Sequence, residues 1–138
     1  MQWFWDHGVG AIGIDGLRAN ILNSVADNQL IWLDLTDHPY RFAVDLVWCC
    51  EVVEHIEERY LNNLLWTLSN GRVIAMTHAL PGQLGHHHVN LQPPEYWVRH
   101  ICSYGYEVLD PEPFRKLITG RKNYFAQSGL IFRKCPAP

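Results

Sequence analysis

The chain has no run of basic residues, no apolar stretch long enough to cross a bilayer and no CxxC pair. Each absence removes a class of function. Lys and Arg number 11 against 14 Asp and Glu, a formal charge of -3. Nothing therefore concentrates the positive charge that a nucleic-acid backbone attracts, and nucleic acid is not an expected partner. The longest apolar runs, such as residues 43–50, are interrupted by Asp45 and fall well short of the ~20 residues of a membrane span. No membrane partner is expected. The opening Met-Gln-Trp-Phe-Trp-Asp-His lacks the basic start of a secretory signal. Cys49, Cys50, Cys102 and Cys135 are not spaced as a metal or redox motif. The adjacent Cys49 and Cys50 read as buried free thiols, so the expected setting is reducing and cytoplasmic. Neither an internal repeat nor a low-complexity tract is present.

What is present suits one domain over residues 1–138. Apolar residues make up 48% and charged residues 18%, enough to build a core and too little charge for general disorder. Short β-rich runs alternate with segments of helical period, the pattern of a βαβ architecture. Residues 1–7 look like a helix tail closed by glycine. Strands are predicted at 11–15, 30–35, 42–50, 72–77, 106–109 and 129–133. Helices are predicted at 17–24, from the spacing of Leu17, Ile21, Leu22 and Val25, and at 56–68. The second carries the stripe Ile56, Tyr60, Leu61, Leu64, Leu65 and Leu68. A third starts after Pro93-Pro94 and ends at Gly105. Residues 110–123 are proline-bearing and basic, and periodicity does not place them.

From Asp45 the chain reads Asp-Leu-Val-Trp-Cys-Cys-Glu-Val-Val-Glu-His-Ile. This resembles the fourth-strand motif of class I S-adenosylmethionine-dependent methyltransferases, above all the ubiquinone-biosynthesis O-methyltransferase group. Upstream, Ile12-Gly13-Ile14-Asp15-Gly16 resembles the family's second strand with its acidic carboxyl end. Downstream, Asn70-Gly71 and the strand 72–77 agree as well. The resemblance covers roughly residues 1–109. It implies an α/β, Rossmann-like, mainly parallel sheet and methyl transfer to an oxygen, or a nitrogen, of a small or sugar-like acceptor. It also implies an order of cofactor contacts. Asp15 and Gly16 would meet the ribose, Asp34 and Leu35 the adenine, and Cys50 and Glu51 the methionine part. In an open α/β sheet ligands do sit at the carboxyl ends of strands. The plainer reading of Asp15 is a turn or cap residue ahead of Leu17.

Glu51-x-x-Glu54-His55 places three potential ligands within five residues, on one face if the segment is helical. The pattern resembles the metal-dependent small-RNA 2′-O-methyltransferases, in which Glu-x-x-Glu-His and a later histidine bind a divalent cation. The later ligand would come from His86-His87-His88, with His87 the choice. Carboxylate oxygen with imidazole suits Mg or Mn, with Zn as a further option. Without a metal, Glu54 would favour a helix start. His55 or His87 would then serve as general base. Tyr96 and Trp97 fit the buried face of their helix better than a substrate pocket.

One family feature is missing. The first strand and its glycine-rich loop have no counterpart, because Gly8 and Gly10 precede the second strand instead of following the first. The expectation is a truncated frame, a gene fragment or a degenerate copy. In the family the missing strand lies between those matched by residues 11–15 and 42–50. Both runs lack a guarding proline or lysine. A homo-oligomer covering the gap is therefore expected, against direct closure of the sheet. A non-catalytic Rossmann-like module stands as the rival to the enzyme.

Overall fold

The computed structural model describes residues 2–24, 29–117 and 123–136. Helix α1 (Gln2–Asp6) leads to strand β1 (Gly13–Asp15), helix α2 (Arg18–Leu22) and strand β2 (Leu30–Trp32). Strand β3 (Val44–Cys49), helix α3 (Leu61–Leu68), strand β4 (Gly71–Met76) and helix α4 (Pro94–Cys102) form the centre. Strand β5 (Tyr106–Leu109), helices α5 (Glu112–Arg115) and α6 (Tyr124–Ser128), and strand β6 (Leu130–Lys134) complete the order. Of the α2 stripe, Val25 lies outside the described residues, as do residues 118–122 of the segment left unplaced above.

The strands form two sheets, β1-β2 and β3-β4-β6-β5. The pairs β1/β2 and β3/β4 are parallel. Strand β6 runs antiparallel between β4 and β5. The single sheet expected from the sequence is divided. Among the described residues, strand β1 pairs only with β2, and β3 only with β4, so each presents an open edge. Direct closure of β1 onto β3 is not the arrangement adopted. The break falls where the family resemblance puts the missing first strand.

Apolar periodicity explains the larger sheet. Leu61, Leu64, Leu65 and Leu68 bury the inner face of α3 against Ile74, Met76 and Phe132. Each such side chain stabilises the fold by about 1.5–3 kcal/mol relative to exposure. Helix α4 starts on Pro94, carries Glu95 in its first turn and Arg99 and His100 in its last, and buries Trp97 and Ile101. Those charges suit the helix dipole. Gly105 follows at φ +83°, a left-handed stop that a Cβ would strain. On the other sheet face, Phe125 of α6 packs on Ala75 and Ile131 and stacks on Trp48 at 5.8 Å.

Two short segments came out differently from expectation. Strand β2 ends at Trp32 rather than continuing to residue 35, because Asp34 Oδ1 accepts the Thr36 N–H at 2.8 Å and turns the chain. The α-helix expected from residue 56 begins at Leu61; before it come a separate 3-10 turn at Val53–His55 and a second, Glu58–Tyr60, that leads straight into it. Ile56 and Glu57 have extended ψ values of 116° and 143°, which separate those turns. Cys49 is buried, Cys50 half-buried, and all four cysteines are free thiols. Among the described residues, no helix is long and apolar enough to cross a membrane.

Candidate functional site

Parallel strands leave their carboxyl ends on one side, and α3 shows which side this is. Its early residue Asn63 donates to the Leu35 carbonyl at 2.8 Å, just past β2. Its late residue Thr67 and the following Asn70 bond Tyr40 and Phe42, on the approach to β3. The carboxyl ends of β2 and β3 therefore lie together, beside the start of α3. There the chain gathers Glu54, His55 and His88, whose ligand atoms all lie within 4.8 Å of one another.

Local structure places these three groups where they could act together as ligands. Glu54 is fully buried, and among the described residues neither carboxylate oxygen has a hydrogen-bond partner outside its own residue. An isolated buried carboxylate is costly unless something pairs with it. Burial pushes its pKa up, and the neighbouring charge of Glu51 adds to the rise. Its own backbone N–H and the charges of His55 and His88 oppose it. His55 Nδ1 lies 3.1 Å from the His87 carbonyl, and His88 Nδ1 lies 3.2 Å from the Gln83 carbonyl. A carbonyl only accepts, so each Nδ1 carries a proton, and in the neutral ring Nε2 is then a lone pair. This is how histidine is held when it ligates a metal. The rings stand 5.2 Å apart, edge to face.

The histidine loop is tied to the Glu54 turn through the backbone. Val89 and Asn90 both donate to the Glu54 carbonyl, at 2.9 and 3.0 Å, and buried Asn90 donates its amide to the Ile56 carbonyl at 3.1 Å. Gly85 makes room for the His88 ring. A Cβ there would fall 2.1 Å from the ring's Cε1. Both segments entering the cluster hold a non-glycine residue in the left-handed region, Glu51 at φ 53° and His87 at φ 56°. Such conformations cost of order 1–3 kcal/mol, persist only where the surroundings over-determine them and gather at functional sites.

The expected ligand set changes accordingly. Glu51, Glu54 and His55 do not share a helix face, because Glu51's left-handed backbone ends β3 and only Val53–His55 coils, as a single 3-10 turn. Glu51 is outside the three-residue group; its Oε1 accepts from Thr77 Oγ1 at 2.8 Å. His87 gives its carbonyl to His55, and the ring that joins the group is that of His88. Nothing in the sequence separated three adjacent histidines, although Gly85 was a signal that a ring packs against the loop.

The remaining candidates sit as follows. Asp15 ends β1, with Oδ1 accepting the Leu17 N–H at 2.7 Å and Oδ2 accepting Asn20 Nδ2 at 2.9 Å. It thus serves the start of α2, and each oxygen keeps a further lone pair. Gly16 lies against Asp34, with its Cβ position 3.7 Å from Asp34 Cα. This joins the ends of β1 and β2. The Leu35 carbonyl is engaged by Asn63. Cys50 Sγ lies 3.4 Å from Thr77 Oγ1. His78 is buried next to this strand end, with Nδ1 on the Ala79 carbonyl and Nε2 without a hydrogen-bond partner among the described residues. Burial lowers its pKa, while the charge of Glu51 raises it. A groove of about 610 Å³ lies elsewhere, lined by Asp45, Arg72, Arg133 and Lys134 among others. It includes none of the candidate residues.

No protein-family model matches this chain, and no curated protein does. Solved structures do. The [4+2]-cyclase SpnF aligns over 99% of this chain and 71% of its own, with a TM-score of 0.60 and 13% identity. The methyltransferase domain of bacterial CtHen1-C aligns over 98% of this chain and 83% of its own, with a TM-score of 0.60 and 17% identity. A DhpI-SAH complex aligns over 99% and 73%, with a TM-score of 0.59 and 12% identity. The fold is therefore the Rossmann-like fold of class I methyltransferases. The cyclase among these neighbours is a reminder that this fold does not by itself fix the reaction.

Proposed function

We propose that this chain is an S-adenosylmethionine-dependent methyltransferase domain that methylates a hydroxyl oxygen of a small or sugar-like acceptor, with a divalent cation at Glu54, His55 and His88. The observation that carries the reading is the Glu54 carboxylate, buried and, among the described residues, without a hydrogen-bond partner outside its own residue, beside two imidazoles whose Nδ1 faces a carbonyl. One oxygen and two nitrogen donors, with the charge of Glu51 nearby, fit Mn or Mg, and the imidazoles also admit Zn. When bound, the cation would polarise the acceptor hydroxyl and lower its pKa.

The chain's own residues account for the other requirements. Asp15 and Asp34, at neighbouring strand ends, offer carboxylates to the ribose hydroxyls and the adenine amine. Gly16 keeps the space between them open. Cys50 and Glu51 border the methionine end. In the transfer, a C–O bond forms as the S–C bond of the sulfonium breaks, leaving the neutral thioether, and in the cation reading the hydroxyl proton passes to solvent water. Positioning of the acceptor in line with that methyl group supplies much of the rate. A second reading rests on the same His55 lone pair: with no cation, Nε2 takes the hydroxyl proton as general base. One lone pair cannot do both.

The test is calorimetry with S-adenosylhomocysteine, with and without MnCl2. Binding of both ligands is the expected result. Nucleoside binding without Mn²⁺ binding selects the general-base reading. No nucleoside binding at millimolar concentration would leave the non-catalytic module.

A further inference from the structure

Thr77 follows β4, is fully buried, and continues the ladder through its N–H to the Cys49 carbonyl at 3.0 Å. Its hydroxyl then does two things for one residue. Oγ1 accepts the Glu51 backbone N–H at 2.9 Å and donates to Glu51 Oε1 at 2.8 Å. A hydroxyl has one proton and two lone pairs, so both bonds form together. Cys50 Sγ, at 3.4 Å, competes for that proton. The carboxylate is closer and charged, and bonds to charged acceptors are the stronger. The residue held in this way is Glu51, at φ 53°. Without its partner, an L-residue in that region gives up roughly 1–2 kcal/mol by staying there. Glu51 in turn acts on its surroundings, since its charge reaches both Glu54 and His78.

We propose that Thr77 is a positioning residue, whose hydroxyl clamps Glu51 in its left-handed conformation and so fixes the Glu51 carboxylate beside the Glu54–His55–His88 group. The assignment rests on the cation site proposed above. Thr77 itself touches neither cation nor substrate. It acts by setting where β3 ends and which way the turn into Glu54 and His55 begins.

The test uses Thr77→Val, which keeps shape and removes the hydroxyl, Thr77→Ser, which keeps the hydroxyl, Glu51→Ala, and the Thr77→Val/Glu51→Ala double variant. Mn²⁺ affinity is read by calorimetry and stability by thermal melting. Groups that orient metal ligands change affinity about 10–100-fold when lost. Thr77→Val is therefore expected to weaken Mn²⁺ binding roughly 10-fold, and Thr77→Ser to restore it. In the Glu51→Ala background the Val substitution loses only the bond to the residue-51 backbone N–H, so it should cost less in both readouts than it does in the wild type. A Thr77→Val that melts lower but binds Mn²⁺ as the wild type does would overturn the proposal, as would additive effects in the double variant. If the wild type binds no Mn²⁺, the cation reading fails. The melting cycle then still decides the clamp, because coupling between positions 77 and 51 supports it and additivity refutes it.

Discussion

Glu54→Gln separates a buried ligand from a buried structural acid. The side chain is fully buried, and among the described residues both carboxylate oxygens lack a hydrogen-bond partner outside Glu54 itself. If it awaits a cation, its charge is a liability in the cation's absence. An unpaired ion in a protein interior costs several kcal/mol even after relaxation. An unpaired amide of the same shape costs about 1–3 kcal/mol. In EDTA at neutral pH the variant should therefore be at least as stable as the wild type, by about 1 kcal/mol or more. For a domain of this size that is roughly 3–5 °C in melting temperature. With Mn²⁺ at 100 times its dissociation constant, the wild type gains ~2.7 kcal/mol by mass action, or roughly 10 °C. Glu54→Gln, with one anionic donor removed from the group, should gain less than half of that. The two melting curves are thus expected to change order between EDTA and MnCl2, as read by circular dichroism. A variant that melts lower in EDTA would mean Glu54 already has a favourable partner. An undiminished Mn²⁺ shift would mean the cation binds elsewhere.

Three further outcomes follow from the geometry. Gly85→Ala puts a methyl where the His88 ring stands; the ring, being a side chain, should move aside, so Mn²⁺ affinity should fall about 10-fold with little change in melting, and unchanged affinity would place His88 outside the site. Asp15→Ala should weaken S-adenosylhomocysteine binding by roughly 1.5–3 kcal/mol, the loss of charge-assisted hydrogen bonds, and equal affinity in calorimetry would move the ribose away from β1. Buried His78 has its pKa lowered, chiefly by burial, so below its ordinary value of about 6.5 the unfolded chain binds the extra proton and the folded one does not. Stability should therefore fall as pH drops from 7 toward 5, and more steeply in the wild type than in His78→Asn; parallel profiles by urea unfolding would assign the acid limb to other groups.

The parts of the fold that were legible are those governed by periodicity and punctuation. The Leu61–Leu68 stripe, the Pro94 start of α4 with its Gly105 stop, and the strand Tyr106–Leu109 carry their signals locally. The strand ends were harder, because a side-chain turn such as Asp34 to Thr36 stops β2 while the apolar run continues through Leu33 and Leu35. The site was half legible. Glu54 and His55 stood out as residue types, but i, i+3 spacing suits a 3-10 turn as well as a helix. A left-handed glutamate leaves no mark in composition. His88 differs from His87 only through what Gly85 allows, and Thr77 looks like any threonine at a strand end. These are tertiary facts, set by which loop reaches which strand.

The division of the sheet bears on how a ligand would bind. Asp15 and Asp34 belong to the β1-β2 sheet, while Glu51, Glu54 and His55 follow β3 of the larger one. The small sheet has three-residue strands, and all three residues of β1 are only partly buried. Few backbone hydrogen bonds and little core make it the low-stability part of the molecule. Leu35, just past β2, ties it to the larger sheet by packing on the main core and accepting from Asn63 of α3. A nucleoside whose adenosine end lies on Asp15 and Asp34 and whose methionine end lies by Cys50 and Glu51 would bridge the two sheets. Its binding energy would then appear partly as order in β1 and β2. The proposed cofactor is thus tied to a structural consequence that the cation lacks, since all three of the cation's proposed ligands lie outside the small sheet.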